Sequence, residues 1–212
     1  MIEISHLKKS FGEKTLFDDY NLRVDDGEFL VIHGRSGAGK TTLLNMIGGL
    51  EDADAGSILV DGTDITRKKN RRAYYRDTVG FLFQNFALID SKTVKQNLEL
   101  IAPGNRAQYT VAYALAAGGL EGFENKKVFT LSGGEQQRVA LARLLFKKCS
   151  LILAAEPTGS LDAENAALVM VILLEMNDSG KTVNMVTHSE EIVKQAERVV
   201  EVGRSAAVNS NL

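Results

Sequence analysis

Eight consecutive residues, Gly34-Arg35-Ser36-Gly37-Ala38-Gly39-Lys40-Thr41, constrain this chain more than anything else in it. They match the phosphate-cradling P-loop pattern G-x-x-x-x-G-K-[ST] at every fixed position. The glycines let backbone N–H groups turn inward and approach phosphate oxygens closely. The helix that follows presents its positive N-terminal end to the anion. Within the cradle, which runs on through Thr42, Lys40 has the reach for the outer phosphates and the Thr41 hydroxyl is suited to Mg²⁺. The flanks agree. Phe29-Leu30-Val31-Ile32 is a continuous apolar run, the mark of a strand covered on both faces, and Leu43, Met46, Ile47 and Leu50 fall at helical spacing. A Gly-rich turn that binds nothing is the bland alternative.

Strands precede the loop. Ile2 and Ile4 alternate with polar residues, as do Leu22 and Val24, and the Asp-Gly pair in Asp25-Asp26-Gly27-Glu28 favours a tight hairpin before Phe29. The strand, turn and helix order recurs late, with a strand at Leu151 to Ala154, a loop at Pro157 to Asp162 and a helix at Ala163 to Met176. A further strand at Thr182 to Val186 and a helical stretch after Ser189 follow. Strands alternating with helices imply a largely parallel sheet. From about Thr93 to Lys148 the pattern is helical without a convincing strand. The chain is therefore expected to form one α/β domain over 1–212, with a helical segment of about 90–148 inserted into its core. The tail from Gly203 is too short for another domain. The basic run Arg67-Lys68-Lys69-Asn70-Arg71-Arg72 reads as a solvated helix face or as a phosphate- or lipid-binding patch.

Composition narrows the function classes. At 212 residues, 44% apolar and 25% charged, the chain can bury a substantial core. Its 25 Lys+Arg against 27 Asp+Glu give a net charge of −2, so no global basic excess argues for nucleic acid. The longest apolar stretch, Ala166 to Leu174, has nine residues, about half of what crosses a bilayer. No basic-then-apolar leader opens the chain, and the lone Cys149 fits a reducing cytosol.

Ser132-x-x-Glu135 is the spacing of a helix capping box, and an apolar periodicity runs on through Phe146. Gly133-Gly134 is poor chemistry for a mere helix start, whereas bare glycine amides at a helix N-terminus receive an anion well. Such a second phosphate site, held away from the first by the helical segment, is most simply explained if one chain's Ser132–Glu135 closes on another chain's P-loop. Glu156 ends an apolar strand, placed to orient an attacking water as general base, or else to cap the next loop. Asp162 is positioned to cap the helix from Ala163.

Leu131-Ser132-Gly133-Gly134-Glu135-Gln136-Gln137-Arg138 is similar to the signature stretch of the ATP-binding cassette (ABC) family. Gln84, after Gly80-Phe81-Leu82-Phe83, resembles the family's Q-loop, and Leu151 to Pro157 its Walker B strand ending in the catalytic glutamate, Glu156. Ser160-Leu161-Asp162 resembles the D-loop, and Val186-Thr187-His188 the histidine switch that contacts the γ-phosphate. The resemblance covers the whole chain, with its motifs in the family's order. It implies a P-loop NTPase (RecA-like) core with an N-terminal antiparallel β subdomain and an inserted α-helical subdomain. It also implies ATP and Mg²⁺ as cofactors, with Thr41 and Gln84 as metal ligands, and a head-to-tail homodimer sandwiching two ATPs. Phe11 resembles the aromatic that stacks on adenine, a core phenylalanine being the alternative. Asp162 would touch the partner's nucleotide, and the apolar Phe86-Ala87-Leu88 would meet a membrane partner.

One position departs from the family. Ala155 stands where the Walker B strand carries an aspartate, and a methyl group holds neither Mg²⁺ nor its water shell. ATP binding is expected to survive and hydrolysis to be slow. The stretches LLNMIGGLEDADAGSILVDG and FLFQNFALI resemble subunits of lipoprotein-releasing, macrolide-export and bacteriocin-export systems. With no apolar stretch of its own long enough to cross a bilayer, the chain is expected to work with a separate transmembrane permease, on the cytoplasmic face of the membrane. The alternatives are a cell-division type cassette that signals through a membrane partner, a soluble cassette acting on DNA or ribosomes, and a non-hydrolysing ATP-dependent clamp.

Overall fold

The computed structural model describes residues 1–159 and 161–203; Ser160 of the D-loop pattern and the tail after Gly203 lie outside the described residues. Alternation builds the first sheet. Ile2–Phe11 (β1) buries Ile2, Ile4 and Leu7 and pairs antiparallel with Lys14–Val24 (β2). Register shifts follow Ile4, and with His6 at φ 51° it is Leu7 and Lys9 that turn inward rather than His6 and Lys8. The Asp25–Glu28 turn forms, Glu28 N–H donating to the Asp25 carbonyl at 3.3 Å, but the expected hairpin does not. The turn hands the chain to a second sheet, because Phe29–His33 (β3) buries Leu30, Val31 and Ile32 completely and needs cover on both faces.

The P-loop then enters Lys40–Ile47 (α1), and Ala55–Val60 (β4) and Thr63–Asp64 (β5) complete the antiparallel sheet in the order β2-β1-β4-β5. The basic run starts Lys68–Asp77 (α2), where Arg67 pairs with Asp64 at 3.0 Å and Lys68 and Arg71 pair with Asp52 at 2.9 and 2.7 Å. Three of the run's five cations thus have carboxylate partners, and it reads as a salt-bridged helix face rather than a phosphate- or lipid-binding patch. After Val79–Leu82 (β6) come the short helices Val94–Leu98 (α3) and Val111–Ala117 (α4), then Gly133–Phe146 (α5). Leu151–Ala155 (β7), Ala163–Asp178 (α6), Thr182–Val186 (β8), Glu190–Gln195 (α7) and Arg198–Glu201 (β9) finish the described chain. The second sheet is parallel throughout, in the order β6-β7-β8-β3-β9. Its edge strand β9 goes beyond the sequence reading.

Burial explains the layering. Leu43, Leu44, Met46 and Ile47 put α1 between the two sheets, against Leu30, Ile32 and Leu153 on one side and Ile2, Ile4 and Ile58 on the other. The opposite face of the parallel sheet, with Val31, Ile152 and Met185, packs on α5 and α6. Helix α5 is apolar on two sides: Ala140, Leu141 and Leu144 face the sheet while Val139, Ala142 and Phe146 pack with Val94, Leu98 and Leu115. It is the wedge that joins the helical segment to the core. Among the described residues no helix is long and apolar enough to cross a membrane.

Candidate nucleotide-binding site

β3 lies between β8 and the edge strand β9 of the parallel sheet, and the chain beyond it turns through Gly34, Gly37 and Gly39 at φ 148°, 72° and 101°. Gly39 is the N-cap of α1 and no side chain caps that helix. Its left-handed conformation excludes the usual Ser, Thr, Asp or Asn cap, so the first amides of α1 are left to a ligand. Above them lies a cavity of about 310 Å³ floored by Ser36, Gly37, Gly39, Lys40, Thr41 and Thr42. That volume is at the lower end for small-molecule sites. Lys40 is buried, and its Nζ donates to the carbonyls of Gly34 at 2.8 Å and Arg35 at 3.1 Å, bracing the loop with two of its three donors.

The cavity wall comes from the antiparallel sheet. Phe11 is 50% exposed at the end of β1, which removes the core-phenylalanine alternative. One face of its ring is backed by the Lys9 ammonium, 4.6 Å from the centroid. Lys9 is itself buried and anchored by Glu51 at 2.6 Å and the Asp52 carbonyl at 2.7 Å. Lys14 and Leu16 also line the wall, and neither was anticipated; no spacing in the sequence marks them.

At the far side, β7 and β8 bring Glu156 and His188 together. Glu156 takes a left-handed φ of 47°, its N–H donating to the Val186 carbonyl at 2.9 Å. Its Oε2 accepts the His188 backbone N–H at 3.2 Å, and its Oε1 lies 3.3 Å from His188 Nε2 without a well-directed hydrogen bond. His188 lines the cavity while Glu156 sits just behind it. Such a backbone conformation in a non-glycine residue is uncommon and clusters at functional sites. Ala155 has its methyl on the α1 side of the sheet, in the same apolar cluster as Leu43, Leu44 and Leu153.

Gln84 stands apart, exposed after β6 and outside the cavity lining. The turn beyond it is tightly wound, with Phe86 and Ala87 at φ 61° and 47°, and Arg143 of α5 donates to their carbonyls at 3.0 and 2.5 Å. Burial pushes the Arg143 guanidinium pKa down. Phe86 and Leu88 pack against the cores rather than standing free, so the apolar surface expected there is partly covered.

Ser132, Gly133, Gly134 and Glu135 open α5, and none of them lines the cavity. The capping box is complete: Glu135 N–H donates to Ser132 Oγ at 3.3 Å and Ser132 N–H to Glu135 Oε2 at 2.7 Å. The Ser132 backbone bond holds the Glu135 carboxyl below its ordinary range. Asp162 caps α6 by accepting the Asn165 N–H at 2.8 Å. Asn165, which sequence reasoning missed, also donates to Asp162 Oδ2 at 2.6 Å and accepts from Arg138 of α5. A Cβ on Gly134 would come 3.1 Å from its Nδ2, so this glycine serves a close approach between α5 and the first turn of α6.

These residues suit a nucleotide better than a divalent metal. The uncapped helix, the buried Lys40 and the half-exposed ring of Phe11 fit phosphates and a base. For Mg²⁺ the cavity offers the Thr41 hydroxyl, with a methyl at Ala155 and Gln84 outside the lining.

Residues 17–159 match the ABC transporter family. The chain is 37% identical over 211 residues to the macrolide export ATP-binding/permease protein MacB of Campylobacter jejuni, covering 95% of this chain and about a third (33%) of that protein's length. It is 38% identical over 212 residues to an ABC transporter ATP-binding protein of Mycobacterium tuberculosis, 94% of this chain and 86% of that one. Among solved structures, the dimeric ABC transporter cassette MJ0796 superimposes with a TM-score of 0.85 at 35% identity, over 95% of this chain and 94% of the other. The same cassette as a post-hydrolysis dimer bound to ADP and Pi gives 0.84 at 33% identity, over 96% and 94%. Sequence and fold together place this chain in the ABC transporter family, as an ATP-binding cassette.

Proposed function

We propose that this chain binds ATP at the Gly34–Thr42 cradle and, as a dimer of two copies, drives a separate transmembrane permease of the export type from the cytoplasmic side. The observation that carries the reading is the cavity itself: an uncapped helix N-terminus and a buried lysine on one side, an exposed aromatic ring on the other. Loop amides and Lys40 hold the outer phosphates, Phe11 stacks on the base, and the Thr41 hydroxyl is the group that would hold Mg²⁺. Bound Mg²⁺ would supply charge neutralisation along the phosphates. Glu156 accepts a proton from the attacking water and His188 keeps glutamate and γ-phosphate in register. That Ser132 to Glu135 and Asp162 lie away from this chain's own cavity supports a second copy's contribution to each site. Export draws support from the likeness to MacB, of which this chain spans only a third.

Ala155 favours one further reading, an ATP-dependent clamp that closes and turns over slowly. Restoring the carboxylate separates the two. With Ala155→Asp, Mg²⁺-dependent ATP hydrolysis is expected to rise at least several-fold, in line with the roughly 10–100-fold effect of lost outer-shell partners. Unchanged turnover in a phosphate-release assay would remove the argument from the missing aspartate. Absence of ATP binding by the unmodified chain in calorimetry would remove the function altogether.

A further inference from the structure

We propose that Lys14, the first residue of β2, is a second phosphate-binding cation of the nucleotide site, gripping the phosphate chain from the antiparallel sheet while Lys40 grips it from below. The assignment rests on the nucleotide reading above and adds to it a residue that no motif contains.

Three observations converge on Lys14. It lines the cavity together with Gly37, Lys40 and Thr41, so its side chain belongs to the phosphate end. Its Nζ donates to the Gly37 carbonyl at 2.8 Å, which fixes the ammonium on the rim of the P-loop itself. And among the residues that line the cavity, Lys14 and Lys40 are the lysines, with no arginine beside them. A lysine ammonium has three donors. Lys14 uses one on Gly37, so two remain for oxygens in the cavity it borders. A nucleoside triphosphate is polyanionic, and Lys40 already has two of its donors on the Gly34 and Arg35 carbonyls. A second cation across the loop satisfies charge that Lys40 alone leaves uncompensated. The link to Gly37 also ties the β1–β2 turn to the P-loop, so the ring of Phe11 and the phosphate cradle are held at a set separation.

Because Lys14 is exposed, solvent screens part of the interaction and the effect is modest. Binding of ATP, ADP and AMP to the full chain, its Lys14→Met variant and its Lys14→Arg variant, measured by calorimetry at two salt concentrations, tests the assignment. Lys14→Met is expected to weaken ATP by about 5- to 20-fold, ADP by less and AMP by under twofold, and to flatten the salt dependence of ATP binding. Lys14→Arg is expected to recover ATP affinity to within about threefold. The urea midpoint should not move, since an exposed side chain is being changed. Equal losses for all three nucleotides would mean that Lys14 only braces the loop, and unchanged ATP affinity would mean that it touches no phosphate; either overturns the proposal. If the unmodified chain binds none of the three, the nucleotide reading falls first and this assignment falls with it.

Discussion

At Lys40–Ile47 the chain starts a helix behind a glycine at φ 101° and puts no side chain on its amides. At Gly133–Phe146 it starts another behind Ser132 and closes the first turn with a complete capping box. Both beginnings are glycine-bearing and both read from the sequence as places for a phosphate, yet one is open within this chain and the other satisfies itself. The difference teaches how the work is divided. The open helix lies in a cavity and can take an anion at no cost to its own hydrogen bonds. The closed one lies on the surface, carries the ionised Glu135 on its positive end, and exchanges part of its cap for any phosphate it receives. On the proposed function, nucleotide binding by one chain would depend on α1, and the α5 terminus would contribute only in a dimer.

The largest test of that division removes the buried cation. Lys40→Ala is expected to weaken ATP binding by about 100-fold or more, given charge-assisted bonds of about 1.5–3 kcal/mol each, while Ser132→Ala leaves binding by the monomer within twofold. Comparable losses in calorimetry at low protein concentration would break the comparison. Next in size is the backbone. Gly39→Ala forces a side chain into a left-handed φ with Phe17 carbon atoms at 3.1 Å, and about 1–2 kcal/mol of stability should be lost in urea unfolding. Gly133→Ala, with its nearest contact at 3.9 Å, should lose none. A smaller effect concerns charge. Glu135→Gln takes a carboxylate off the α5 terminus, worth about 0.3–1 kcal/mol, and should tighten ATP-dependent dimerisation by about two- to fivefold in analytical ultracentrifugation. Weaker dimerisation would mean that the carboxylate serves the closed state. The smallest effect is on acid stability. Glu135 has a carboxyl pKa lowered in the folded chain, so its contribution is complete above the ordinary value and fades as pH falls through the folded one. Glu135→Gln should flatten the unfolding free energy below about pH 4.3, and an unchanged acid slope would place the loss on other carboxylates.

Much of this site is legible along the chain because its chemistry is local. The P-loop glycines, the apolar run at Leu30 to Ile32, the capping box at Ser132 and Glu135, and the cap at Asp162 each depend on residues within a few positions. What could not be read depends on distance in the sequence. Lys14 reaches Gly37 across 23 positions and Asn165 meets Arg138 across 27, and neither residue type carries a mark of its partner. Arg198–Glu201 alternates too briefly to announce a strand and becomes one by pairing with β3.

The turn at Asp25–Glu28 marks the boundary between the two kinds of information. Its four residues specify a reversal, and a reversal is what forms. Whether that reversal pairs β2 with β3 or sends β3 to another sheet is decided elsewhere, because Leu30, Val31 and Ile32 need apolar partners on both faces. α1, α5, α6 and the neighbouring parallel strands supply that cover. The sequence by itself determined the local conformations and the chemistry available. The tertiary structure decided which of them share a cavity, since burial and long-range pairing sum over the whole chain while backbone geometry and capping act within a turn.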